Sequence, residues 1–153
     1  MNKYILYSIV IPVSVLIGKI LLIKTIDRRV FFTDFSIFIK KIETEINFTF
    51  GSIKDSIKIL DKKSNFYKLF IKTFFKKESC HVYFLTKNET SFFKSFCLNL
   101  GKTDRITQIK FIEQAKKEVD LFLAEAIKIE KRNVKLYFKL SVLIGILIYI
   151  LII

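Results

Sequence analysis

Apolar residues gather at the two ends of the chain and recur with helical spacing between them. From Tyr4 to Ile23 the sequence is apolar apart from Lys19 and a few small polar residues, and it has the ~20-residue length that a helix needs to cross a bilayer core. From Leu140 to Ile153 no charge occurs. Val134, Leu136, Tyr137 and Phe138 extend this second run, and Lys135 and Lys139 can reach lipid headgroups along their aliphatic stems. The expectation is a transmembrane helix at each end, 4–23 and 140–153, with 1–3 a short external N-terminus. A cleaved signal peptide is the competing reading of the first run. No Ala-x-Ala site can follow it, because the first alanine is Ala115.

Between the ends the period is that of a helix. Phe35, Phe38, Ile39, Ile42 and Ile46 recur at three and four residues, so the first helix is expected to run on to about Phe48, with Gly51 breaking it. Ser52 to Asp55 reads as a helix cap ahead of Ile53, Ile57 and Leu60, and Thr86-Lys87-Asn88-Glu89 as a second ahead of Phe92, Phe93, Phe96 and Leu100. Phe66, Tyr67, Phe70, Ile71, Phe74 and Phe75 form another helical face. His81 to Leu85 fits either a short strand or a buried helical turn. After Gly101, the positions Ile109, Ile112, Ala115, Val119, Phe122, Ala126 and Ile129 predict one long helix that enters the second apolar run. Gly51 and Gly101 are the sole glycines between the runs, and the one proline, Pro12, lies inside the first, so sheets and tight hairpins are disfavoured. The predicted class is all-α: a helical bundle over 24–139 flanked by two transmembrane helices.

Charge sets the orientation. The chain carries 27 Lys and Arg against 14 Asp and Glu, and of these only Lys3 and Lys19 lie outside 24–139. The inner flanks hold Lys24, Arg28, Arg29, Lys40 and Lys41 on one side and Lys128, Lys131, Arg132, Lys135 and Lys139 on the other, whereas the outer flanks hold Lys3 alone. The bundle is expected to be cytoplasmic. This asymmetry accounts for much of the basic balance, so a nucleic-acid partner is not required.

Catalytic chemistry has little to build on. His81 is the single histidine, and with Cys80 and Cys97 it offers three soft ligands where a zinc site needs four, or three and a water. A structural histidine beside a buried cysteine is the expectation, with no metal, no cofactor and reduced cysteines. No Gly-rich phosphate loop, nucleophile elbow or paired acid site is present. The chain is expected not to be an enzyme. Small residues mark both apolar runs: Ser14-x-x-x-Gly18 and Ser141-x-x-x-Gly145 give each a face that permits close helix approach.

Several of these features occur together in one known family. Gly18 near the end of the first run, Arg28 ten positions on, Ile42-Glu43-Thr44-Glu45-Ile46, the motif Leu100-Gly101-Lys102-Thr103-Asp104-Arg105-Ile106-Thr107-Gln108 and Gly145 in the closing run resemble stage III sporulation protein AB. The most specific piece is Leu-Gly-x-x-Asp-Arg-x-x-Gln. The resemblance covers 18–53 and 92–153; Asn47 to Ile53 departs from the family's Thr-Pro-Leu. It implies a non-enzymatic platform subunit of the channel complex between mother cell and forespore, in the inner membrane of the mother cell. Its implied partners are the sporulation assembly ATPase of the same operon, other membrane subunits and the lipid bilayer. A general membrane adaptor or signalling stalk is the alternative, and a basic protein binding anionic lipid or nucleic acid is the weakest reading.

Within the motif the residue types leave two readings open. Leu100-Gly101 can close one helix and Thr103 or Asp104 can cap the next, or Asp104 and Arg105 can recognise a partner. Arg105 and Gln108 share a helical face, and either pair with Glu43 or Glu45 inside the bundle or meet the ATPase. Glu43 and Glu45, two apart on a helix, point away from one another. They are either solvated acids or partners of bases on a neighbouring helix.

Overall fold

The computed structural model describes residues 2–49, 57, 61–77 and 82–152, and the side chains among them from Leu16 onward, except those of 17, 21, 48, 49, 148, 149, 151 and 152. All regular structure among the described residues is helical, in agreement with the all-α expectation. Helix α1 spans Asn2–Thr44, a π-helical turn follows at Glu45–Thr49, and α2 (Asn65–Lys76), α3 (Lys87–Asn99) and α4 (Arg105–Ile152) complete the order. The chain divides into two compact units, Asp27–Ala126 and a second made of Met1–Ile26 with Ile127–Ile153.

In the unit Asp27–Ala126 the three-and-four ladder of α1 becomes the core. Phe31, Phe32, Phe35, Phe38, Ile39 and Ile42 are at most 1% exposed. Phe35 stacks on Phe66 of α2 at 5.1 Å between ring centres and meets Phe96 of α3 edge-on at 4.9 Å. Phe96 in turn stacks on Phe111 of α4 at 5.7 Å. Each buried phenylalanine contributes roughly 1.5–3 kcal/mol by leaving water, and the offset and edge-on contacts suit the ring quadrupole.

Local signals fix the helix ends. The Ser64 hydroxyl accepts the Tyr67 N–H at 3.1 Å to start α2, and Lys77 ends it in the left-handed region. Thr86 and Glu89 form a reciprocal capping box at the start of α3. Gly101 adopts a φ of 76°, which glycine takes at little cost, and it turns the chain from α3 towards α4. Helix α1 ends as an α-helix at Thr44 and not at Phe48, the path continuing through the wider π turn. Val82 to Leu85 form neither strand nor helix but a turn closed by the Leu85 N–H on the Val82 carbonyl at 3.3 Å. The expected break at Gly51, the cap at Ser52 to Asp55, and Cys80 and His81 lie outside the described residues.

In the other unit α1 and α4 approach at Gly18. A Cβ there would sit 3.6 Å from the Ser141 Cβ and 3.7 Å from the Tyr137 carbonyl oxygen. Ile20, Phe138, Leu143, Leu147 and Ile150 are each at least 60% exposed. Among the described residues, no helix is long and apolar enough to cross a membrane. The expected transmembrane helices at 4–23 and 140–153 are thus not supported: Lys19 interrupts the first run, and the charge-free second run is 14 residues long where a span needs about 20.

Candidate functional site

Charged side chains in the unit Asp27–Ala126 are drawn into links between α1 and the later helices. The most buried is centred on Arg28, whose Nε and Nη2 donate to one oxygen of Glu89 at 2.9 and 2.5 Å. Nη2 also donates to Glu125 of α4 at 3.0 Å. The other Glu89 oxygen accepts the Thr86 N–H at 2.8 Å. One carboxylate, 1% exposed as a side chain, therefore caps α3 and clamps α1 at the same time. Burial alone lowers the Arg28 pKa; the hydrogen bond and charge of Glu89, then the charge of Glu125, outweigh it and raise the pKa above its ordinary value. The guanidinium stays charged at every accessible pH.

Further links run along the same pair of helices. Ser36 donates to Asp120 at 3.1 Å, and Lys116 donates to Glu43 at 2.6 Å, which raises the Lys116 pKa. Arg105 donates to the Asn47 carbonyl at 3.0 Å. As the α1 number rises the α4 number falls, so the two helices are antiparallel and joined at intervals by polar pairs. Beside Arg28, the Tyr83 hydroxyl donates to Asp27; that hydrogen bond raises the phenol pKa.

Of the residues singled out in the sequence, Glu43 meets Lys116 of α4, and Glu45 of the π turn pairs with Lys41 in the last turn of α1 at 2.8 Å. Asp104 is the cap of α4: its carboxylate accepts the Thr107 N–H at 3.1 Å, and this bonding lowers its pKa. Gln108 is 5% exposed. Its Oε1 accepts the Gly101 N–H at 3.2 Å and the Thr103 hydroxyl at 3.0 Å, while Nε2 is buried with no partner. Because the Gly101 N–H can only donate, it sets the amide orientation. The motif from Leu100 to Gln108 is thus a closed clasp: a buried leucine, a left-handed glycine, a capping acid, an arginine tied to the π turn and a glutamine bonded back to the loop.

In the other unit Gly18 and Ser141 face each other, and the Ser141 hydroxyl donates to the Phe138 carbonyl at 2.8 Å. Gly145 is buried, and the Ser14 side chain lies outside the described residues. An apolar cleft of about 260 Å³ beside Gly18 is lined by Lys19, Leu22, Val134, Tyr137 and Phe138.

The Arg28 centre is what sequence reasoning missed. Arg28 counts there as a flanking cation and Glu89 as a cap, and the cap is observed. Their pairing spans 61 positions and leaves no local signature. Among the described residues no group of His, Cys, Asp and Glu is placed to hold a metal ion, and Cys97 is a buried free thiol.

A family model described as stage III sporulation protein AB matches residues 3–153, essentially the whole chain. No curated protein and no solved structure matches.

Proposed function

The chain belongs to the stage III sporulation protein AB family, and we propose that this sporulation protein is a non-enzymatic inner-membrane platform subunit of the channel complex between mother cell and forespore. The observation that carries the reading is the extent of the family match, which takes in both apolar ends and the helical unit between them. In this reading 4–23 and 140–153 anchor the chain in the mother-cell membrane, and the positive flanks keep the bundle in the cytoplasm. The polar contacts of the bundle support a scaffold: Arg28, Glu89, Glu125, Glu43 and Lys116 hold helices to one another. Asp104 and Gln108 serve the clasp, so contact with the assembly ATPase of the same operon falls to other surfaces.

The test is purification of the tagged full chain from sporulating cells. The reading expects the protein in the membrane fraction after an alkaline wash, with the ATPase co-purifying from detergent extracts. Release by the wash, or an extract without the ATPase, contradicts it.

A further inference from the structure

Helix α2 presents a face whose lysines pair with no carboxylate among the described residues. Its apolar side, Phe66, Leu69, Phe70 and Thr73, is buried in the core. On the outer side Lys68, Lys72 and Lys76 are exposed at intervals of four residues, and Phe75, between the last two, is 50% exposed. The helix contains no acidic residue. No carboxylate among the described residues pairs with these lysines, in contrast to Lys116 and Lys41, which have Glu43 and Glu45.

This arrangement works against the helix that bears it. Like charges four residues apart repel on a helix surface. Lys68 also lies in the first turn, where the dipole disfavours a cation. Lys76 near the C-terminus gains from the dipole, but Lys68 and Lys72 do not. An exposed aromatic ring among them adds uncompensated apolar surface. A partner that brings carboxylates and an apolar contact relieves all three penalties together.

We propose that the outer face of α2, formed by Lys68, Lys72, Phe75 and Lys76, is a docking surface for an acidic amphipathic helix of a partner protein. Spacing favours that occupant. Four residues of helix rise by about 6 Å, so carboxylates at the same interval on a facing helix meet successive lysines. The phosphate backbone of duplex DNA can answer the lysines but offers no apolar contact to the half-exposed Phe75, which an acidic amphipathic helix supplies. An anionic bilayer needs an apolar face to bury as well as cations, and the apolar face of α2 is already taken by the core, leaving only Phe75. The inference deepens the platform reading and relies on it only for the existence of a partner.

The probe is a fluorescein-labelled helical peptide with glutamates at every fourth position and leucines flanking them, titrated with the full chain in neutral detergent and read by anisotropy. Lys68→Glu with Lys72→Glu is expected to weaken binding ~10-fold or more, because opposite charges are replaced by like ones. Phe75→Ser is expected to weaken it by a smaller factor, and Lys68→Gln with Lys72→Gln by an intermediate one, with circular dichroism showing each variant folded. The control, Lys110→Glu with Lys117→Glu on the exposed side of α4, changes net charge equally and is expected to alter binding less than ~2-fold. Equal losses in both pairs, or no loss in the α2 variants, overturns the inference. So does tighter α2-dependent binding of phosphatidylglycerol vesicles or a short DNA duplex than of the peptide. If the peptide result fails while the ATPase still co-purifies with the parent chain, this surface is wrong and the platform reading stands.

Discussion

Arg28 is the residue whose loss the bundle should tolerate least. Glu89 is buried with its charge answered by Arg28, and a truncated arginine leaves that carboxylate without a counter-ion. Arg28→Met is therefore expected to lower the unfolding free energy in urea titrations by about 3–5 kcal/mol, whereas Glu125→Gln, at a position more than half exposed, should cost about 1 kcal/mol or less. Equal effects would show that Glu89 is not held as described. Asp104 gives a pH signature. Its folded pKa lies below the ordinary 3.8, so the cap stabilises α4 above that value and the contribution is lost as pH falls through the folded pKa. Asp34 has the opposite sign: burial raises its pKa, partly offset by the Ser64 hydroxyl, so its contribution is present at low pH and lost as pH rises through the folded value. Comparing the parent with Asp104→Asn at each pH cancels the Asp34 effect. The parent is expected to lose its advantage below about pH 4, and a constant difference down to pH 2 would contradict the cap. At this scale the caps at Thr86–Glu89 and Asp104 were legible because a cap is a local pattern, although the Ser64 cap of α2 went unread. The role of Arg105 was not, because its acceptor is the carbonyl of Asn47, and a backbone carbonyl has no sequence identity.

The elements follow from the same distinction between local and distant signals. The aromatic ladders at three and four residues place α2, α3 and the core stretches of α1 and α4, since periodicity survives without knowledge of a partner. The end of α1 was less legible. Apolar spacing continues through Ile46, so the pattern gives no sign that the helix widens into a π turn at Glu45–Thr49. The turn at Val82–Leu85 was ambiguous for the opposite reason: Val82, Phe84 and Leu85 are all buried, and burial alone does not choose a backbone. Between α3 and α4 the clasp depends on Gly101 at positive φ. Gly101→Ala is expected to reduce stability by about 1–2 kcal/mol through the left-handed strain on a Cβ. Thermal melts check it, and an unchanged midpoint would mean that the loop relaxes by another route. The same substitution should loosen Gln108, whose Oε1 takes the Gly101 N–H.

For the molecule as a whole, the sequence carried the fold class and the family while the polar ties between distant helices came only with the structure. Phenylalanine dominates the core because α1 presents four of them on one face, and α2, α3 and α4 each bring rings to meet them. The core is continuous across Asp27–Ala126, and the antiparallel ties from Arg28 to Arg105 fix the register of α1 against α4. Such a core is compatible with the platform role proposed above for this sporulation family member. That role is tested most directly by deleting the gene and following cells by microscopy after engulfment. Collapsing forespores and a loss of heat-resistant spores, both restored by the intact gene, are expected; normal forespores and a full yield of heat-resistant spores would contradict the role.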